Sequence, residues 1–237
     1  MGARRIGAHS FRLAFCVAAS PVLALLGCGS PTLGDAETSA VSITLTTTAS
    51  DPSVATVGEP AGGLVVSRVF VSASSLTLLP CRSDAAEIAL LPRGYDLLAS
   101  PAPNEYINTA VRELCGLRLD IDPLAQNVTD GVPEGTSIYV QGTDAAATPF
   151  ELASEQSLSL LLEAQADSSF GDQPLILAFD LSTWLAAIPL TEDMAEKAIE
   201  MLEAQARASA AVYMDSDESG TLDGAEQTAV ALPAPAR

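Results

Sequence analysis

Oxygen-bearing residues recur at short intervals in YMDSDESGTLDGAEQ, residues 213–227, near the C-terminus. Counted from Asp215 as position 1, carboxylates fall at positions 1, 3, 9 and 12, a serine at position 5 and a glycine at position 6. Calcium takes about six to eight oxygen ligands, and alternate positions of a curled chain can turn toward one ion. The spacing therefore predicts a divalent-cation site in this stretch.

Residues 215–226 resemble the calcium loop of EF-hand proteins over all twelve positions. The resemblance implies calcium as the cofactor, Gly220 as the residue that permits the sharp turn, and Leu222 as an apolar residue packed beneath the loop. It also implies six ligands: the carboxylates of Asp215, Asp217, Asp223 and Glu226, the hydroxyl of Ser219 and the backbone carbonyl of Thr221.

The loop departs from the EF-hand pattern in its ligands and its flanks. Serine at position 5 removes a charge, and only GAEQTAVAL separates the loop from Pro233, so the outgoing flank is short. No second loop is visible in the sequence. We expect a structural site with the affinity of extracellular modules, about 10⁻⁴ to 10⁻³ M. The alternative is an acidic turn that ends a helix and binds no metal.

The N-terminus combines arginines with a short apolar run, FRLAFCVAASPVLALLG, that ends at Cys28. This pattern predicts an export signal over residues 1–27. Residues 25–28, LLGC, resemble the lipobox of bacterial lipoproteins. The resemblance implies a diacylglyceryl anchor at Cys28, with two or three acyl chains holding the protein on the bacterial cell envelope. Gly29 is compatible with sorting to the outer membrane; an ordinary cleavage site is the alternative.

Catalytic residue types are scarce, because histidine occurs once, at His9, and lysine once, at Lys197. His9 leaves with the predicted signal, which excludes Ser-His-Asp and Cys-His catalysis in the mature chain. No nucleophile elbow, phosphate-binding glycine loop or zinc signature is found. We therefore predict a non-enzymatic binding or structural module. The alternative is a carboxylate-dependent hydrolase or lyase acting on saccharide, for which Asp120 and Asp122 share one face of a strand.

The chain carries 11 basic and 30 acidic residues, a net charge of -19. The predicted signal holds three of the basic residues and none of the acidic ones, so the mature chain has a charge of -22. Phosphate binding needs a basic footprint, and nucleic acid is therefore excluded as a partner. The strong negative charge attracts divalent cations, and the sequence specifies no protein or glycan partner.

The four cysteines divide by position. Cys16 lies in the predicted signal and Cys28 is the predicted anchor, which leaves Cys81 and Cys115 as a pair. In an oxidising exported compartment this pair predicts a disulfide that ties two strands or two sheets. A zinc site is the rival, and it needs further nitrogen or sulfur donors.

Short runs rich in β-branched residues, separated by turn residues, fill residues 41–180. They predict a mainly β fold, an antiparallel β-sandwich of transthyretin/Ig-like architecture, preceded by a flexible tether over residues 28–40. The tripeptide SAS at residues 72–74 is expected to divide one long apolar run into two strands. The segments LLPC, DLLAS and LCGLRLDI resemble those of bacterial lipoproteins of unknown function, a likeness that implies a sandwich and no activity.

Residues 181–232 have a helical composition and contain the calcium loop, 215–226, before a tail over residues 233–237. Asp180 or Ser182 is expected to cap a short helix that holds Trp184. A second helix should start near Thr191 or Asp193 and run into the loop. Its stripe Met194, Ala198 and Leu202 predicts a face buried in the core. The earlier run SLSLLLEA fits either a strand or a helix.

Overall fold

We analysed a computed structural model of the 237-residue chain. The structure describes residues 39–48, 55–57, 63–82, 88–89, 92–109, 113–123, 130–163, 173–185, 188, 195–228 and 230–232. The predicted signal, the anchor Cys28, most of the tether and the tail lie outside these ranges. No helix of the described residues is long and apolar enough to cross a membrane.

The described chain is mainly β, with strands in two sheets and two α-helices. In chain order the strands are β1 (Ser39–Thr47), β2 (Ala55–Val57), β3 (Leu64–Pro80), β4 (Ile88–Ala89), β5 (Arg93–Asp96), β6 (Asn104–Thr109), β7 (Leu114–Ile121), β8 (Ile138–Thr143), β9 (Pro149–Ser154), β10 (Leu158–Glu163), β11 (Leu175–Phe179), β12 (Ala210–Met214) and β13 (Val230–Leu232). The helices are α1 (Leu181–Leu185) and α2 (Ala195–Ser209).

The strands form a five-stranded sheet in the order β13-β12-β11-β1-β6 and an eight-stranded sheet in the order β10-β7-β3-β8-β9, with β2, β4 and β5 also paired to β3. Alternate residues of both sheets enter one common hydrophobic core. Val41, Ile43 and Leu45 contribute from β1, and Leu117 and Leu119 from β7, all fully buried. Because two sheets share one core, the predicted sandwich of two packed sheets is confirmed at this level.

The expectation that all strands are antiparallel is wrong for one pair. β1 and β11 run parallel, with Ile43 opposite Leu175 and Thr47 opposite Phe179. Parallel neighbours require a long crossover connection, and here every strand of the eight-stranded sheet lies between the two in sequence. Pairing at such a distance along the chain leaves no local trace in the sequence.

The predicted break at residues 72–74 is also wrong, because β3 continues through it. The register of β3 against β7 shifts between Ala73 and Ser75, which marks an irregularity of the bulge type at this place. A bulge bends a strand without ending it. The small residues therefore mark a change of pairing partner, from β8 before the shift to β7 after it.

An exposed cap begins α1, and one buried side chain, Trp184, joins α1 to α2 and to the five-stranded sheet. Asp180 caps α1, since its Oδ1 accepts hydrogen bonds from the backbone N–H of Ser182 at 2.9 Å and from the Ser182 hydroxyl. Trp184 is fully buried, donates from Nε1 to the Leu202 carbonyl at 2.8 Å, and contacts the ring of Phe179. This confirms Asp180 as the cap; Met194 lies outside the described residues.

The segment predicted to be helical contains two strands of the five-stranded sheet. α2 ends at Ser209, and the chain enters β12, which pairs antiparallel with β11. Residues 208–214 have no strong helix-stop signal, and the buried pairing of Val212 with Leu177 decides their conformation. Tertiary contacts thus override local helix propensity here. The calcium loop consequently follows a strand and not a helix.

Cys81 and Cys115 form a disulfide, with their Cα atoms 4.7 Å apart. Cys115 belongs to β7 and Cys81 follows β3 directly, so the bond joins the ends of two neighbouring strands of one sheet. The Cys81 N–H also donates to the Glu113 carbonyl at 3.0 Å. The predicted cysteine pairing is confirmed as a link between strands within a sheet.

Candidate metal centre

Three of the predicted ligands converge at one point of the loop. One carboxylate oxygen from each of Asp215, Asp217 and Glu226 lies within 4.8 Å of the others. Oxygens bound to one calcium at about 2.3 to 2.6 Å can be at most about 4.6 to 5.2 Å apart. The separation therefore fits a single ion between the three residues, and the cluster could hold a metal ion.

The five-stranded sheet positions Asp215. This residue follows β12 directly, and its N–H donates to the Pro174 carbonyl at 3.0 Å, one residue before β11 begins. Asp215 is only 5% exposed. Its carboxylate thus starts the loop from a backbone that is fixed by strand pairing.

The opposite side of the cluster is formed by Glu226 at the start of a 3₁₀ helix, Glu226–Thr228. Asp223 caps this helix, because its Oδ1 accepts from the N–H groups of Ala225 and Glu226, both at 2.8 Å. Glu226 is 3% exposed, and its two oxygens accept from the backbone N–H of Ser216 at 2.7 Å and of Asp223 at 3.1 Å. Glu226 therefore ties the two ends of the loop together.

Backbone N–H groups inside the turn also point at Asp215. Its two oxygens accept from Ser219 N–H at 3.0 Å and from Gly220 N–H at 2.8 Å. Gly220 has φ +68°, a left-handed conformation that glycine adopts without steric cost. The glycine predicted to permit the sharp turn does so.

The electrostatics of the cluster are those of crowded acids. Burial raises the pKa of Asp215, the nearby charge of Glu226 adds to the rise, and the N–H bonds from Ser219 and Gly220 only partly offset it. Hydrogen bonds from Ser219 lower the pKa of the exposed Asp217. Without a cation, one buried carboxylate therefore retains its proton more tightly than an ordinary aspartate, and a bound cation would relieve this repulsion.

Leu222, the apolar residue of the loop, packs against the outer face of the five-stranded sheet. Its partners are Ile176, Ala178 and Tyr213, which form a small cluster outside the main core. In the register of the sheet, Tyr213 lies opposite Ile176, and Ile176 opposite Thr44. The loop thus folds back over the sheet from which it starts.

The remaining predicted ligands lie in the loop but outside the three-residue cluster. The Ser219 hydroxyl donates to the Thr221 carbonyl at 3.2 Å, so these two donors lie next to each other. Asp223 uses Oδ1 to cap the 3₁₀ helix and does not belong to the cluster. Sequence reasoning identified the cluster residues but missed that a strand leads into the loop, because the helix pattern before it ends only at Ser209.

The acidic pair offered for saccharide hydrolysis is engaged by serines. Burial would raise the pKa of Asp120, but hydrogen bonds from Ser159 and Ser75 and the charge on Arg118 outweigh it and lower this pKa. The Asp122 carboxylate accepts from the Ser74 hydroxyl. A general acid needs a raised pKa, so nothing in this geometry favours Asp120 for that role.

Substituting Glu218 tests the backbone strain of the loop. Glu218 has φ +59°, which is costly for a residue with a Cβ atom. We expect Glu218→Gly to stabilise the metal-free protein by up to about 1 kcal/mol in urea unfolding, because relief of about 1 to 2 kcal/mol of left-handed strain exceeds the entropy of about 0.4 to 1 kcal/mol that glycine adds to the unfolded chain. Glu155→Gly, at an exposed glutamate outside this conformation, serves as the control and should not stabilise. A loss of stability in Glu218→Gly would contradict the described turn.

Comparison with known proteins assigns the chain to no family. No protein-family model and no curated protein sequence matches it. Among solved structures, MbnP from Methylosinus trichosporium superposes with a TM-score of 0.43 at 6% sequence identity. The superposition covers 65% of this chain and 79% of that chain, and the chain is similar to MbnP to this extent only.

Proposed function

We propose that this protein is an exported lipoprotein of the bacterial cell envelope, anchored through Cys28, that acts as a non-enzymatic binding or structural module and holds one calcium ion in residues 215–226. The observation that carries the calcium proposal is the convergence of Asp215, Asp217 and Glu226 within 4.8 Å. Oxygen-only donors of this charge suit calcium better than softer metals, which prefer nitrogen or sulfur. We also propose that its β-sandwich has a transthyretin/Ig-like architecture.

The proposed role of the ion is to fasten the loop to the sheet. Asp215 extends from β12, Glu226 precedes β13, and both strands lie at one edge of the five-stranded sheet. An ion held by both residues would link the two strands of this edge through their carboxylates. It would also hold Leu222 against the outer face of the sheet. Calcium would therefore stabilise the edge of the sandwich, as expected of a structural site.

Isothermal titration calorimetry tests the site directly. The purified chain should bind one calcium with a dissociation constant of about 10⁻⁴ to 10⁻³ M, and Glu226→Gln should bind at least about tenfold more weakly, because a neutral amide replaces a charged ligand. Glu163→Gln, at an exposed position of β10, is the matched control and should bind like the wild type. Equal binding by Glu226→Gln and the wild type would refute the site.

Calcium binding should weaken on acidification because the ion requires ionised carboxylates. In the metal-free protein the raised pKa of Asp215 favours the folded state below the ordinary aspartate value of 3.8, and this contribution is lost as pH rises through the raised value. In the presence of calcium the pH dependence of stability is reversed, because protons and calcium compete for Asp215. The rise of the thermal midpoint with calcium should therefore shrink from neutral pH toward 3.8; a constant rise would contradict competition at Asp215.

The anchor is tested separately by mass spectrometry of the membrane fraction. The proposal expects an N-terminus at Cys28 carrying a diacylglyceryl group and further acylation. Cys28→Ser should release the protein from the membrane fraction, whereas Cys16→Ser, inside the predicted signal, should not. An unmodified Cys28 at the mature N-terminus would refute the anchor and leave the calcium proposal unaffected.

A further inference from the structure

A cleft of about 500 Å³ lies on the outer face of the five-stranded sheet, beside the loop. Thr44 and Thr46 of β1 form its floor, Ser219 to Leu222 of the loop form one wall, and the turn 99–102 with Asn104 forms the other. Its volume is in the range of small-molecule sites, about 300 to 1,000 Å³. The cleft therefore has room for a ligand of one or two sugar rings.

The lining of the cleft is uncharged and combines polar with apolar groups. Threonines, serines and one asparagine supply hydroxyl and amide groups, and no acidic or basic residue belongs to the described lining. This is unusual in a chain with 30 acidic residues. An anionic ligand would find no basic residue in the described lining and would be repelled by the acidic protein. An organic cation would find no carboxylate in the described lining. The chemistry favours a neutral ligand that both donates and accepts hydrogen bonds.

Thr44 and Thr46 of the floor are nearly buried, with exposed fractions of 2% and 9%. No hydrogen bond joins the hydroxyl of Thr44 or Thr46 to the part of the chain that the structure describes. Polar groups in sheltered positions generally find a partner, either protein, water or ligand. Both threonines lie on the same face of β1 and line the cleft next to each other.

An exposed aromatic ring stands next to the cleft. Tyr106 is 68% exposed, and it lies two residues after Asn104 on the same face of the edge strand β6. The Asn104 side-chain amide approaches the Tyr106 hydroxyl at 3.4 Å, which places the ring beside the cleft wall. A flat aromatic surface adjoining hydroxyl and amide groups suits a sugar ring, which has an apolar C–H face and hydroxyls at its rim.

We propose that this cleft binds a neutral saccharide, with hydrogen bonds from Thr44, Thr46 and Asn104 and with Tyr106 packed against the sugar ring. The proposal concerns binding alone and involves no bond cleavage. It shares with the calcium proposal only the loop that forms one wall. Because that wall is the loop itself, removal of calcium should weaken saccharide binding.

Saturation-transfer NMR of the full chain tests the proposal with glucose, galactose, mannose, N-acetylglucosamine, cellobiose, maltose and lactose as probes. At least one of these should receive saturation, and glucuronate should bind more weakly than glucose. Asn104→Ala should lower the affinity about tenfold through the loss of a hydrogen-bonding partner. Thr44→Val, which preserves the shape of the side chain, should lower the affinity in the same direction and covers the case in which Asn104→Ala does not fold.

Asn108→Ala is the matched control, because Asn108 occupies the same face of β6 outside the cleft lining. It should bind like the wild type. The proposal is overturned if no probe receives saturation, if Asn104→Ala and Thr44→Val both bind like the wild type, or if glucuronate equals glucose. Calcium binding without saccharide binding overturns this inference alone. Saccharide binding by a chain that takes up no calcium supports it and refutes only the calcium site.

Discussion

Addition of calcium should raise the thermal midpoint of this protein by about 5 to 11 °C when the ion is present at about 100 times its dissociation constant. At that excess, binding to the folded state alone contributes about 2.7 kcal/mol, and one kcal/mol shifts the midpoint of a domain of this size by about 2 to 4 °C. The physical source is relief of repulsion between the buried carboxylates of Asp215 and Glu226. Differential scanning calorimetry with calcium and with a chelator measures the effect.

The variant Asp217→Asn distinguishes a loss of calcium binding from a loss of stability of the metal-free protein. Asp217 accepts the Ser219 N–H through Oδ1 at 3.0 Å, and an asparagine oxygen can keep that bond, so the metal-free midpoint should stay close to that of the wild type. The variant should lose only part of the rise caused by calcium, because the amide oxygen of asparagine can still bind the ion but carries no charge. Asp144→Asn is the matched control: Asp144 also caps a turn through Oδ1, between β8 and β9, and should keep the full rise. A rise in Asp217→Asn equal to that in Asp144→Asn would contradict a charged contribution of Asp217 to the site.

Removing the disulfide should have an effect of similar or larger size. The bond closes a loop with a sequence separation of 34 residues, which corresponds to about 3 to 4 kcal/mol in the chain-entropy treatment. We therefore expect the double variant Cys81→Ser, Cys115→Ser to unfold in urea with a free energy lower by about this amount. The double variant is preferred to a single one because it leaves no unpaired thiol at this place.

Treatment of the wild type with a reducing agent provides the control for the disulfide. Reduction should bring the unfolding free energy of the wild type to that of the double variant and should leave the double variant unchanged. Calcium binding should persist in the double variant, since the disulfide joins β3 and β7 of the eight-stranded sheet and the loop lies on the other sheet. Unchanged stability of the double variant would refute a structural role for the bond.

The features that the sequence predicts correctly are those that depend on local chemistry. The sequence predicts Asp180 or Ser182 as a helix cap because such residues accept N–H groups that lack intrahelical partners, and Asp180 accepts the Ser182 N–H. The turn at Gly220 was predicted because its place in the loop requires a left-handed residue. The cysteine pairing followed from elimination, and alternation of apolar residues indicated a sandwich. Each of these features can be predicted either from a pattern of a few neighbouring residues or, for the cysteines, from their number and positions in the sequence.

The sequence could not foresee features that depend on distant pairing. The parallel contact of β1 with β11, the continuation of β3 through residues 72–74 and the strand β12 in place of a helix all depend on which strands lie side by side. Local propensity at residues 210–214 is weak, and pairing with β11 outweighs it.

The amino-acid sequence by itself determined which side chains could chelate a cation, in what order, and around which glycine, because a chelating loop is encoded in twelve consecutive residues. Only the tertiary structure decided where that loop starts and what it covers. Strand pairing places Asp215 at the end of β12, and packing of Leu222 returns the loop over Ile176. That return creates the cleft above Thr44, whose walls come from segments more than a hundred residues apart along the chain. Contacts of this range are fixed by the burial of whole sheets, which no local pattern of residues encodes.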